Sequence, residues 1–176
     1  MIYFTADTHF GHGNIIKYEN RPFADIEEMN THMIKNWNEK VEPDDDIYIL
    51  GDLIFGKGQN ANDILNQLNG KKYLVKGNHD SFLRDKKFDR DLLVWVKDYY
   101  VLKYNNRKFV LFHYPIQVWD CRHYDSIHLY GHVHSKTINK IPNSYNVGVD
   151  VNNFTPISIE EIIEKVTVCT DGTMNE

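Results

Sequence analysis

Five short clusters in this chain carry side chains of the kind that hold divalent cations. They are Asp7 and His9 in DTH, Asp52 after Gly51, the run Gly77-Asn78-His79-Asp80, the solitary His113, and His132 with His134 in GHVH. Carboxylate, amide and imidazole donors with no thiolate among them suit divalent Mn, Fe, Co, Ni or Zn, and not a structural zinc finger. Asp7 and His9 lie two residues apart, so on an extended chain they point the same way. His132 and His134 share that spacing and can serve two ions if the backbone turns at Gly131.

Any one of these clusters is also what a turn looks like. Gly-Asp and Gly-Asn commonly make tight turns, and paired histidines occur freely on surfaces. What sets the clusters apart is where they fall. Five apolar runs rich in β-branched and aromatic residues read as strands: IYFTA (2–6), IYIL (47–50), YLV (73–75), FVLF (109–112) and IHLY (127–130). Each run leads into one of the clusters. In open α/β sheets, sites gather outside the carboxyl ends of the strands, where segments remote in sequence converge. Glycines before Asp52, Asn78 and His132 allow the sharp bends that bring these groups to a common centre. Together, the five strand exits read as a metal site.

The intervening segments supply helices. Asp25 and Glu28 form a capping box ahead of Ile26, Met29, Met33 and Trp37 at helical spacing. A second helix is predicted over 62–68, with Ile64, Leu65 and Leu68 on one face. The segment YYVLKYNNRKFVLFH predicts a hairpin turning at Asn105-Asn106, residues that tolerate positive φ. Ser158 and Glu161 bracket the start of a last helix whose apolar face is Ile159, Ile162, Ile163 and Val166. Helices alternating with short strands imply an α/β sandwich, and 176 residues suit a single domain.

Lys and Arg number 20 against 25 Asp and Glu, a formal charge of −5. The segment RDKKFDRD (84–91) alternates its signs and reads as a solvated face. No basic stripe offers the many phosphate contacts that long duplex nucleic acid requires. A small phosphorylated substrate fits this balance, because bound cations reverse the local field. Cys121 and Cys169 are the only cysteines and read as reduced thiols. The opening MIYFTADTHF lacks the basic region of a signal peptide, and no apolar run nears the ~18 residues of a membrane span. A soluble, cytoplasmic chain with no membrane partner is the expectation. Nothing in the pattern sets an oligomeric state.

In order and spacing, these residues resemble the calcineurin-like metallophosphoesterase superfamily, whose pattern is DxH, GD, GNH[DE], an isolated His, then GHxH. The opening ADTHFGHGNIIKYENRPF is further similar to small bacterial and phage members of that superfamily. The resemblance implies an α/β fold, a four-layer α-β-β-α sandwich of two mixed sheets flanked by helices, with loops forming one shallow site. The chain is short for members that carry a capping domain, so a cleft open to solvent is expected. By the same resemblance, Asp7, His9, Asp52 and His134 hold one ion. Asp52, Asn78, His113 and His132 hold a second, with Asp52 as the bridge. Purple acid phosphatases place a tyrosine three residues after the bridging aspartate, as a ligand to ferric iron. Here that position is Phe55, which has no oxygen to coordinate, so a ferric site is not expected. Phe10 between His9 and Gly11 departs from the commoner DxHG.

Two divalent transition metal ions, manganese foremost, would make the chain a metal-dependent phosphoric ester hydrolase. Cations roughly 3.5–4 Å apart clamp a phosphoryl group and activate a bridging hydroxide for in-line attack. His79 is the expected general acid on the departing oxygen, with Asp80 orienting it and raising its pKa. His12, Asn14 and Arg21 near the first loop are candidate substrate contacts, as are Trp119 and Arg122 after His113. Trp119 and Tyr124 are rings that can stack on a nucleobase, although such rings also serve simply to pin a loop to the core. His32 decorates a helix, and His123 and His128 lie outside the pattern. The expected substrate is a small or nucleotide-like phosphomonoester or phosphodiester. The alternatives are a non-catalytic protein-binding scaffold on the same fold, and a nuclease acting on single-stranded ends. An intact ligand set with His79 and Asp80 speaks against the scaffold.

Overall fold

In the computed structural model, residues 1–139 and 141–171 are described, with side chains through Val166. The first sheet begins with four parallel strands: β1 (Ile2–Thr5), β2 (Asp46–Ile49), β3 (Lys71–Val75) and β4 (Trp95–Lys97), side by side in the order β4-β3-β2-β1. The second places β5 (Tyr100–Tyr104), β6 (Arg107–Leu111), β7 (Ile127–Tyr130) and β8 (Ser144–Asn146) in sequence order. Within it only the β5–β6 pair is antiparallel. A short last strand, β9 (Ile157–Ser158), returns to the first sheet and pairs antiparallel with β1. Both sheets are therefore mixed, as expected.

Strand alternation sets the layers. Tyr3, Ile47, Ile49 and Leu74 face a core built with Met29, Met33 and Trp37 of helix α2 (Ile26–Lys40) and Ala61 and Leu65 of helix α3 (Gly58–Leu65). The short helix α1 (Gly13–Tyr18) adds Ile15 to the same core. Their neighbours along the strands, Phe4, Tyr48, Leu50 and Val75, point the other way and pack against Phe109, Leu111, Ile127 and Leu129 of the second sheet. Parallel strands covered on both faces read as continuous apolar runs, which is why these segments stood out. Helix α4 (Ile159–Asp171) closes this inter-sheet core with Ile159, Ile162 and Val166. Loop 114–126 covers the second sheet's outer face, where Trp119 packs on His128 at 5.2 Å between ring centroids.

Both capping boxes form. Asp25 accepts from Glu28 N–H at 2.9 Å, while the Glu28 carboxylate reaches one residue further back, to Ala24 N–H at 2.6 Å. Ser158 and Glu161 hold each other reciprocally at 2.9 and 3.2 Å. The hairpin turns where expected, with Asn105 and Asn106 at φ 47° and 61°. Helix α3, expected over 62–68, instead runs Gly58–Leu65, because the Asp85 carboxylate accepts from Gly58 N–H at 2.9 Å and starts it early. Segment 84–91 is exposed as predicted except at Asp85, which is half-buried, and Phe88, which is buried. Cys121 is a free thiol, and Cys169 lies outside the described side chains. No helix among the described residues is long and apolar enough to cross a membrane.

Candidate metal centre

Past their carboxyl ends, β1 and β2 stay zipped together. Asp7 N–H donates to Gly51 O, His9 N–H to Asp52 O and Phe10 N–H to Leu53 O, each at 3.0 Å. Gly131 N–H donates to His113 O at 2.9 Å, and Val149 N–H to Ala6 O at 3.0 Å. These bonds bring exits from both sheets to one place. Asp7, His9, Asp52, His132 and His134 all have φ between 50° and 70°. That left-handed conformation costs a non-glycine residue roughly 1–2 kcal/mol, and five such residues gathered at neighbouring strand exits mark a site whose side-chain directions the fold enforces. Gly51, at φ +86°, sits in one of the tightest approaches. A Cβ there would stand 2.5 Å from His113 Nδ1 and 2.6 Å from Gly77 N.

The side chains form two groups that could each hold a metal ion: Asp7, His9 and His134, and Asp52, His113 and His132. Within each group the ligand atoms lie no more than 4.8 Å apart. Asn78 Oδ1 joins the second group, 3.1 Å from His113 Nε2. Asp52 Oδ2 lies 3.7 Å from His9 Nε2 and 3.5 Å from His113 Nε2, so one oxygen faces both groups. The other, Oδ1, accepts from His79 N–H at 2.7 Å. Asp7 Oδ1 and both ring nitrogens of His9 are buried without a hydrogen-bond partner. Each unpaired buried polar atom costs about 1–3 kcal/mol, a cost that coordination removes for Asp7 Oδ1 and for one His9 nitrogen. The donor set fits divalent cations.

A second ring of contacts fixes the tautomers. His113 Nδ1 donates to Leu50 O at 2.7 Å, which turns Nε2 toward Asp52 and Asn78 Oδ1 at the cation position. His134 Nδ1 donates to Asp150 Oδ2 at 2.8 Å, a carboxylate–histidine arrangement that frees Nε2. Asp150 is in turn gripped by Arg21, from Nε at 2.8 Å and Nη2 at 3.0 Å. The same guanidinium donates to Asp7 O at 2.7 Å and Thr8 O at 2.9 Å. One buried ion pair thus ties a histidine of the first group to the backbone of its aspartate.

Burial pushes the Asp7 carboxyl up to about 7, against the pull of His134 and His113. It pushes the His9 imidazole down more strongly than the Asp52 carboxylate raises it, keeping that ring neutral and fit to ligate. At Asp52 burial works upward, yet the His113 hydrogen bond and charge outweigh it and hold the carboxyl below its usual range. Burial would lower His134, but the Asp150 carboxylate reverses the sign. Asp52 stays ionised, at the point where both groups meet.

Several expected roles change. Asp80 does not orient His79. Its Oδ2 accepts from Gly77 N–H at 2.7 Å and Asp52 N–H at 3.0 Å, and its Oδ1 from Leu53 N–H at 2.9 Å. It is a buried clamp joining the β2 and β3 exits. Arg21, read as a substrate contact, is 4% exposed and spent on Asp150 and two backbone carbonyls. Trp119 is buried and donates from Nε1 to Ser126 Oγ at 2.9 Å, so it pins its loop. Arg122 stacks over that ring at 5.4 Å, and Tyr124 is 85% exposed beyond it. Asn14 is exposed on α1. His12 and His79 do border the site, with ring centroids 5.5 Å from His9. His128 is structural, bonded to Val110 O and Ile116 N–H. Asp150 and Thr8, whose Oγ1 donates to Leu53 O at 2.7 Å, belong to no sequence pattern and were not foreseen.

Asp150→Asn tests the buried link. The amide can still accept from His134 Nδ1–H, but it loses the charge and one of the two oxygens that Arg21 grips. Calorimetric titration with Mn²⁺ should show one binding event weakened by about 10–100-fold and another unchanged, the usual scale for an outer-shell partner. An unaltered titration would remove Asp150 from the centre.

Two mixed sheets whose strand exits gather acidic and imidazole groups define a metal-binding α/β fold. The calcineurin-like phosphoesterase superfamily domain matches residues 1–152, and the chain belongs to that family. It is 39% identical over 173 residues to an uncharacterized protein of Methanocaldococcus jannaschii, covering 94% of this chain and 90% of that one. It is 29% identical to the gene 66 protein of Mycobacterium phage D29, covering 97% and 98% of the two chains. Among solved structures, a protein of unknown function from Aquifex aeolicus superimposes with a TM-score of 0.74 at 27% identity, covering 94% of this chain and 98% of that one. Family and ligand groups together fit a metal-dependent phosphoesterase.

Proposed function

We propose that this protein is a dinuclear phosphoesterase of manganese type, hydrolysing a small phosphomonoester or phosphodiester, nucleotide-like substrates included. One observation carries the reading: Asp52 Oδ2 faces two separate ligand groups at 3.7 and 3.5 Å, beside an exposed imidazole, His79, that belongs to neither. The chemistry a bound cation pair supplies is Lewis acidity, which screens phosphoryl charge and acidifies water near neutral pH. The chain's own residues do the rest. Asp52, pinned through Oδ1 by His79 N–H, presents its second oxygen to both positions. His134 and His113 present Nε2 because Asp150 and Leu50 hold their Nδ1 protons. His79 stands on the open side and holds a proton for the departing ester oxygen. Asp80 keeps the backbone beneath it in place.

The test is a parallel assay of p-nitrophenyl phosphate, its bis-ester and 2′,3′-cyclic nucleotides, each with Mn, Ni, Co and Zn. Hydrolysis of at least one class is expected, lost on chelation and restored by Mn²⁺. Inactivity on every ester with every metal, together with recovery of a tight protein partner, would point to a scaffold. Cleavage of single-stranded oligonucleotides but no small ester would point to a nuclease.

A further inference from the structure

Among the described residues, the buried side-chain polar atoms left without partners are Thr5 Oγ1, Asp7 Oδ1, both His9 nitrogens and His12 Nδ1. Asp7 Oδ1 and one nitrogen of His9 are accounted for as ligands of the first group, while Thr5 Oγ1 lies within β1. His12 is not a member of either group, so a cation does not satisfy it. Nor is its position accidental. Phe55 N–H donates to Phe10 O at 2.9 Å, and Phe10 and Ile54 form an isolated β-bridge, so the loops after β1 and β2 continue together as far as these residues. That continuation lays the His12 ring flat on Phe55, with centroids 4.1 Å apart and planes within 15°. Stacking fixes the plane of the imidazole. Phe55 is also 6.5 Å from His79 between centroids, and both His12 and His79 lie 5.5 Å from His9. Two imidazoles that ligate nothing thus flank the His9 side of the centre.

We propose that His12 is a further substrate-binding residue, hydrogen-bonding a non-bridging phosphoryl oxygen of the ester, and that Phe55 positions it by stacking. This deepens the phosphoesterase reading and rests on it. The braced ring is the reason. His12 is half-buried with Nδ1 closed to solvent, so the edge a ligand can meet carries Nε2, and a phosphoryl group held at the adjacent centre has oxygens able to accept from it. The division of labour is plain: His79 serves the departing oxygen, His12 an oxygen that stays on phosphorus.

The inference is tested on the full-length protein by two calorimetric titrations, first with Mn²⁺ and then, on the loaded protein, with inorganic phosphate. His12→Ala should leave Mn²⁺ binding unchanged and weaken phosphate binding about tenfold or more, the scale of one hydrogen bond to a charged group. His12→Gln, which keeps a donor, should recover part of the loss, and Phe55→Leu should fall between wild type and His12→Ala. A fold control is unchanged thermal unfolding of the Mn²⁺-loaded variants. Phosphate affinity within about twofold of wild type in His12→Ala, below the effect of any such bond, would overturn the assignment. So would loss of Mn²⁺ in that variant, which would make His12 part of the cation cage. Failure of the wild-type protein to bind phosphate once loaded would instead count against the phosphoesterase reading, and the inference would fall with it.

Discussion

Asp52→Asn is expected to empty both cation positions at once and to lower phosphoesterase turnover on the order of 10³-fold or more, since the Lewis acidity lost is worth several kcal/mol. The reason lies in how the two carboxylate oxygens divide their work. Oδ1 accepts from His79 N–H at 2.7 Å, while Oδ2 stands between His9 and His113. An asparagine has only one oxygen. If it faces His79 N–H, the amide hydrogens point at the cations; if it faces the cations, two donors meet at His79. Either arrangement defeats the site. The apo variant should still fold, because the substitution is nearly isosteric and removes a buried charge that is costly to desolvate. Metal per chain after dialysis and thermal unfolding with and without Mn²⁺ give two independent readouts. Wild type should gain about 2.7 kcal/mol at 100 times the dissociation constant, and the variant none. A variant that retained both ions and its Mn²⁺-dependent stabilisation would remove Asp52 from the bridge.

The centre was legible in the sequence because its ligands leave the strands at one end of each sheet. IYFTA, IYIL, YLV, FVLF and IHLY announce buried parallel strands, and topology does the rest by bringing their exits together. Elements without a periodic signal were not legible. Strands β8 and β9 span three and two residues, too few for an alternation to register. The start of α3 depends on Asp85, which is remote in sequence and near only after folding.

Errors of role have a different origin. Asp80 follows His79 directly, and adjacency in sequence suggested a contact between the side chains. The backbone turns between them instead, so His79 opens to solvent while Asp80 is buried under Gly77, Asp52 and Leu53. Arg21 looked like an anion contact because it is basic and close to the first loop. Only the folded chain places the Asp150 carboxylate across from it, 129 residues away in sequence. In both cases a charged side chain, Asp80 read as orienting His79 and Arg21 as a substrate contact, turns out to hold the backbone that carries the ligands.

That correction sharpens what His79→Asn must do. The substitution keeps the backbone N–H that holds Asp52 Oδ1 and removes only the imidazole, so both Mn²⁺ binding events should persist. General acid assistance is worth about 10²–10⁴-fold where the leaving group is a poor one. An alkyl phosphate ester should therefore lose about 10²-fold or more in turnover, whereas p-nitrophenolate, which departs without a proton, should lose less than about tenfold. Asp80→Asn supplies the contrast. Its carboxylate binds three N–H groups of the loops and never approaches the departing oxygen, so its loss should lower stability and metal retention while slowing both ester classes alike. Equal losses on alkyl and nitrophenyl esters for His79→Asn would strip the imidazole of its role as acid and reduce it, like Asp80, to a support for the loop.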